Sequence, residues 1–511
     1  MPYLYRMAVL LAVLVLTAPA DALQASRPVV LTDAGAVVGA RESGVEVFRG
    51  LPYAAPPVDD LRWREPRPVP AWRDQRDASR NGKACMQQPG ASLEGGGDPG
   101  PLSEDCLTLN LWTPGTAGRR PVMVWIHGGA LVFGGGGVPL YNGTALARRD
   151  VVVVTLNYRL GALGFFAHPA LGDGGPMNFG LLDQVAALQW VRRNIAVFGG
   201  DPGNVTLFGE SAGAQSVLAL YASPLARGLF HRGIAQSAYG IPSHTRKKAR
   251  QAGVAVANAV GLPGASASLA QLRAVAPGRF FGLRDPATNL APGFIVGDTA
   301  LPRTILETFQ QKNQAPLPLV IGSNSDEATV AVAFGLEPAL LIERMRAGRV
   351  LVEPLYPGVD DSDALGRFLV RDLVFTAFAR RIAYLQSQRA PTWRYYFSHV
   401  PERQRARLPG VAHGGEIAFV FGTAGICGCM DAAFTPADEA LARRTADYWT
   451  AFAHTGDPNV AGAPHWPADS VRRARVLELA AAPVAREDFM AKRLNALIAL
   501  LKAAGGVVAP R

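Results

Sequence analysis

Asn204-Val205-Thr206-Leu207-Phe208-Gly209-Glu210-Ser211-Ala212-Gly213, with the helical pattern that runs on to Tyr221, decides the fold. Val205 to Phe208 reads as a buried strand and Ala212 to Tyr221 as a helix, with a G-x-S-x-G frame across their junction. A chain that leaves a strand and enters a helix within two residues must turn sharply, and the flanking glycines permit it. The hydroxyl of Ser211 then projects past the strand end, beside a helix N-terminus whose amides and dipole favour a developing anion. Outside such a context the motif is usually a loop. Between a strand and a helix, it marks Ser211 as a candidate nucleophile.

Strand and helix alternate outward from this turn. Val122 to Ile126 and Val151 to Tyr158 are β-branched runs of the length that buried parallel strands use. Leu181, Leu182, Val185, Leu188, Val191 and Ile195 recur at helical spacing, with Asp183, Gln184, Arg192 and Arg193 opposite, the pattern of a helix laid on a sheet. Further strands are expected at Gly233 to Ser237, Leu317 to Gly322 and Trp393 to His399. Gln251 to Thr308 and Leu336 to Gln388 read as helical excursions between them. The expected class is α/β, a mostly parallel sheet with helices on both faces and helical insertions. No repeat or low-complexity linker divides the chain, so residues 23–511 are expected to form one domain.

A serine hydroxyl needs a base, and the base needs an acid to orient it. Where a nucleophile sits on such a turn, acid and base follow in that order. Ile321-Gly322-Ser323-Asn324-Ser325-Asp326-Glu327-Ala328 follows a predicted strand, which puts Asp326 and Glu327 on a loop beyond its end. Gly410-Val411-Ala412-His413-Gly414-Gly415-Glu416 offers a histidine on a glycine-flanked loop. His231, His244, His399, His454 and His465 have no such setting and read as surface or packing residues. Trp125-Ile126-His127-Gly128-Gly129-Ala130 leaves the first central strand. Its glycines let Gly129 and Ala130 present amides to a substrate oxyanion, joined by the amide of Ala212, while His127 supports the loop. Each such donor is worth about 3 kcal/mol of barrier.

With 511 residues, 49% of them hydrophobic and 18% charged, the chain has the makings of a large core and none of the composition of a disordered protein. The net charge of +10 is spread over scattered arginines, with short clusters at Arg246–Arg250 and Arg403–Arg407, which reads as solvated surface and not a nucleic-acid face. Met1 to Arg6 is short and positive, Met7 to Leu16 is apolar, and Ala20-Asp21-Ala22 is a small-x-small site. Residues 1–22 therefore read as a secretory signal peptide, and the mature protein as exported without stable membrane insertion. Four cysteines suit that compartment. Cys85 and Cys106 bracket a Gly-, Pro- and Ser-rich loop that a bridge would stabilise by about 3 kcal/mol. Cys427 and Cys429 lack the further ligands of a metal site, and their redox state stays open.

The chain resembles type-B carboxylesterases, the cholinesterase-like branch of the α/β-hydrolases. The resemblance rests on Phe48-Arg49-Gly50-Leu51-Pro52-Tyr53-Ala54-Ala55-Pro56-Pro57, Ser103-Glu104-Asp105-Cys106-Leu107-Thr108-Leu109-Asn110, Phe198-Gly199-Gly200-Asp201-Pro202, and Thr455-Gly456-Asp457-Pro458-Asn459 with Trp449. It implies Ser211 as nucleophile, Glu327 as acid, His413 as base, a Cys85–Cys106 bridge and an Arg62–Glu104 salt bridge. It also implies ester hydrolysis with no cofactor or metal and a small-molecule ester as partner. Glu210 is similar to a family acid that shapes the field of the site, and fits a structural carboxylate equally well. Met86 to Asp105 lacks the tryptophan that would hold a quaternary ammonium, so choline esters are not expected. The Gly134–Gly137 run suggests a mobile rim and broad specificity. The same triad also serves amides and carbamates, and a non-catalytic binding protein is a third reading that an intact triad disfavours.

Overall fold

A computed structural model describes residues 27–90, 97–425 and 434–503. Residues 1–22, read above as a signal peptide, and the Cys427–Cys429 pair lie outside these residues. In chain order the central sheet is built from β1 (Ala40–Glu42), β2 (Val45–Pro52), β3 (Thr108–Thr113), β4 (Arg120–Ile126), β5 (Val152–Leu156), β6 (Gly200–Glu210), β7 (Arg232–Gln236), β8 (Leu319–Asn324), β9 (Thr392–Phe397), β10 (Arg475–Leu479) and β11 (Val484–Glu487). Their spatial order is β1-β2-β3-β5-β4-β6-β7-β8-β9-β10-β11. Every neighbouring pair from β5 through β10 is parallel. The hairpin strands at either edge run antiparallel.

Period-two alternation explains why both faces must be covered. Along β4, Val122, Val124 and Ile126 enter one buried cluster, while Met123 and Trp125 enter another on the opposite face. The first face packs against α1 (Phe179–Asn194) and α2 (Ala212–Ala222). Next come α3 (Arg246–Ala259), α4 (Ala328–Ala333), α5 (Ser362–Val370) and α6 (Ala377–Gln386) in the insertions, with the π-helical turn Arg371–Thr376 joining α5 to α6. On the second face, α7 (Pro436–Thr455) adds Tyr448, Trp449 and Phe452 to the buried cluster that holds Trp125 and Phe208. Each such side chain taken out of water contributes about 1.5–3 kcal/mol.

Two sequence expectations shift. Between Gln251 and Thr308 the Pro-interrupted helical stretch is helical only in part: short 3-10 turns follow, and Ile295–Val296 pairs with His244–Thr245 just upstream. Asp183 and Gln184, placed on the outer face of α1 by periodicity, are fully buried. Arg159 satisfies Asp183 with two bonds of 2.7 and 2.8 Å, and Gln184 donates to Ser216 Oγ at 3.0 Å. The helix is covered on both sides, so its polar residues need such partners. His399 is likewise buried, 2.6 Å from Asp438, a packing role with an acid attached.

Candidate active site

Ser211 sits at φ 56°, ψ −122°, a conformation that costs about 1–3 kcal/mol and persists because its surroundings impose it. The flanking glycines are the reason the turn fits. A Cβ on Gly213 would lie 1.9 Å from the Ile126 carbonyl oxygen, and one on Gly209 would lie 2.7 Å from the same atom. The start of α2 thus rests directly on the end of β4. Ser211 N–H donates to the Gln236 carbonyl at 2.8 Å, which ties the turn to β7.

The loop after β8 brings Glu327 to His413. Glu327 Oε2 lies 2.5 Å from His413 Nδ1, while Oε1 accepts from Ser237 Oγ and the Asn324 amide, both at 2.6 Å. Asp326 turns away, 3.4 Å from Arg367. Of the two carboxylates left open by the local pattern, Glu327 is the one the fold brings to His413. Thr329 Oγ1 accepts from the His413 amide at 2.9 Å and fixes the loop that carries the ring.

Glu210 is part of the constellation. Its Oε1 lies 3.0 Å from His413 Nε2, without the alignment of a hydrogen bond. Burial alone would pull the His413 pKa down, but the carboxylates of Glu210 and Glu327 outweigh it and hold the ring well above the usual histidine range. A third buried carboxylate, Glu416, accepts from Gln236 Nε2 at 2.9 Å and Asn324 Nδ2 at 2.5 Å. Burial first and Glu210 second push it up to about 7. Trp449 Nε1 donates to Gln236 Oε1 at 3.0 Å, so the network reaches α7. Ser237, Asn324, Gln236 and Glu416 were not singled out from sequence. Their one common signal is position: each stands at the C-terminal end of a parallel strand or three residues after His413.

Ser211, His413 and Ala130 line one cavity of about 660 Å³, whose remaining wall is mostly apolar. The turn after β4 is closed by Val132 and Phe133 amides donating to the Gly129 carbonyl at 2.9 and 3.1 Å. Gly129 has φ +100°, and a Cβ there would meet Phe133 O at 2.1 Å. The amides of Gly129 and Ala130 donate to no acceptor among the described residues. That of Ala212, the first residue of α2, has no acceptor within its own helix. His127 is stacked on Tyr158 with centroids 4.4 Å apart, and its Nδ1 lies 2.8 Å from the Gly128 carbonyl. Burial pulls its pKa down to about 4, so the ring is a neutral strut for the turn.

The Cys85–Cys106 disulfide and the bidentate Arg62–Glu104 pair, at 2.6 and 2.7 Å, are both present. The Gly134–Gly137 run is not the loose rim that its composition suggested. Gln87 bonds Gly134 through both ends of its amide, at 2.8 Å each, and Gly136 N–H donates to Asn157 Oδ1 at 2.7 Å. A Cβ on Gly136 would lie 2.9 Å from the Leu156 backbone. These glycines allow close packing on β5, and they are held.

Sheet order, serine turn and downstream acid and base define an α/β-hydrolase. The model of the Carboxylesterase family matches residues 26–349 and 361–497, and the chain belongs to that family: it is a carboxylic-ester hydrolase. It is 36% identical over 463 residues to a fumonisin B1 esterase of Sphingopyxis macrogoltabida, covering 85% of this chain and 83% of that protein. It is also 36% identical over 462 residues to the para-nitrobenzyl esterase of Bacillus subtilis (strain 168), covering 86% and 92%. The solved carboxylesterase of Geobacillus stearothermophilus superposes with a TM-score of 0.80 at 33% identity, over 92% of this chain and 100% of that one.

Proposed function

We propose that the chain hydrolyses neutral, apolar carboxylic esters through an acyl-enzyme on Ser211. Ser211 Oγ attacks the ester carbonyl as His413 Nε2 takes its proton, and the amides of Gly129, Ala130 and Ala212 receive the oxyanion. Glu327 holds the imidazolium that forms. His413 returns the proton to the departing alcohol, and water then cleaves the acyl-serine by the same steps in reverse. The observation that carries this reading is the 2.5 Å His413–Glu327 contact at the cavity that Ser211 lines. A range of acyl and alcohol groups is supported by that cavity's volume and by the lack, among the described residues, of any charged lining residue besides His413, not by a loose rim. Choline esters stand outside the range, for want of a tryptophan in the Cys85–Cys106 loop. Export follows from the leader at residues 1–22, and N-terminal sequencing of protein recovered outside the cytoplasm tests it. The catalytic reading is tested by p-nitrophenyl ester hydrolysis beside Ser211→Ala; equal rates in both would remove it.

A further inference from the structure

A second chamber of about 300 Å³ adjoins the Ser211 cavity. The two share Asn289, Ala291 and Phe334 as a common wall. Six phenylalanines line it: Phe133, Phe165, Phe166, Phe280, Phe281 and Phe334. Among the described residues no charged side chain does. Its size falls at the small end of the range for ligand pockets, about 300–1,000 Å³. Two of the six rings connect it to the reacting centre. Phe133 closes the turn that carries Gly129, and its ring faces that of Phe334 with centroids 6.4 Å apart and planes at 25°. Phe334 is 55% exposed, an uncommon state for so large an apolar ring, and it stands where both chambers meet.

We propose that this chamber is a subsite for a flat aromatic group of the ester, which reaches it past Phe334 while the carbonyl stays at Ser211. The inference rests on Ser211 as the site of ester cleavage. Three facts point to an aromatic occupant. Aromatic rings favour offset or edge-to-face neighbours at centroid distances of about 4.5–7 Å, and a lining of phenylalanines supplies both arrangements. The polar lining residues are few and neutral, Gln88, Thr288 and Asn289, so a charged group entering the chamber would lose its hydration without a counter-charge. Continuity of the wall with the Ser211 cavity makes a single molecule spanning both the natural occupant.

The test uses one variant that fills the chamber, Ala162→Trp, and one that opens it, Phe281→Ala; neither residue lines the Ser211 cavity. Each is assayed on ethyl butyrate, 2-naphthyl butyrate and ethyl 1-naphthylacetate, which carry the ring on neither side, on the alcohol and on the acyl group. The expected result is a KM about tenfold higher in Ala162→Trp for at least one naphthyl ester, equivalent to about 1.4 kcal/mol, with ethyl butyrate unchanged. Phe281→Ala raises the same KM by less. Calorimetric binding of 2-naphthol to Ser211→Ala, lost on adding Ala162→Trp, gives a readout free of catalysis. Should Ala162→Trp fail to fold, Phe281→Ala in both assays carries the decision. Unchanged naphthyl KM values together with unchanged naphthol binding would overturn the subsite and leave the esterase reading standing. Hydrolysis that survives Ser211→Ala would sink the reading of Ser211 as nucleophile, while the naphthol result still reports on the chamber alone.

Discussion

The two halves of the Ser211 cavity are built on different principles. One half, Ser211 and His413 with Glu327 behind them, is fixed by short hydrogen bonds that the buried carboxylate of Glu327 makes with Ser237, Asn324 and His413. The other half, running through Val330, Phe334, Leu341 and Phe375, comes from α4 to the π-helical turn before α6 and is held by packing. The first half has little freedom: Gly213 cannot gain a methyl group without striking Ile126. The second presents exposed apolar residues such as Phe334 and Leu336, where substitutions change shape without breaking a bond network. Chemistry is therefore expected to fail abruptly on the polar side, and preference to drift gradually on the apolar side.

The largest expected effect is at the acid. Glu327→Gln should lower kcat by on the order of 10⁴-fold, because the imidazole loses both its orientation and its counter-charge. Asp326→Asn, next in sequence but turned toward Arg367, should stay within about tenfold of the parent. Steady-state rates on one p-nitrophenyl ester check both, and equal losses would erase the distinction between these neighbours.

A smaller effect concerns stability. Glu416 has a folded-state pKa raised to about 7 from the ordinary 4.5. The folded state therefore holds this proton more tightly than the unfolded state. The resulting stabilisation is full below about pH 4.5 and is lost as pH rises through about 7. At about 1.4 kcal/mol per unit, that is about 3 kcal/mol. Glu416→Gln should flatten this part of the stability curve in denaturant titrations between pH 4.5 and 7.5. An unaltered slope would count against the buried charge.

Next is Glu210→Gln. Glu210 helps keep His413 protonated, and the base must be neutral to accept the serine proton. Removing that charge should move the acid limb of the kcat/KM profile to lower pH. It should also cost about tenfold on the plateau, where the carboxylate no longer steadies the imidazolium. A fixed limb would reduce Glu210 to a structural carboxylate.

The mildest change belongs to the apolar half. Phe334→Ala should raise KM for bulky esters a few-fold, about 1 kcal/mol, with kcat for short esters unaltered. A large fall in kcat would blur the division between the halves.

How legible each half was in the sequence follows from the same contrast. The turn at Ser211, the glycines before Ala130 and the order of acid and base depend on a few adjacent residues, so local pattern sufficed. Local pattern alone left Glu327 and Asp326 level, because the bond that Ser237 gives the Glu327 carboxylate joins positions 90 residues apart in the chain. The Gly134–Gly137 run shows how composition misleads: glycines that serve close packing on β5 look the same as glycines that serve motion. The Phe-lined chamber draws on segments from Gln88 to Phe334, and no local pattern marks such a wall.

The acyl-enzyme on Ser211 is tested by mixing the protein with p-nitrophenyl acetate, stopping the reaction in acid within the first turnovers, and locating the acetyl group by peptide mass spectrometry. The expected result is an acetyl group on Ser211, absent in Ser211→Ala. Turnover with acetyl found only on another residue, or with Ser211 unmodified when the first-turnover burst is at its height, would contradict it.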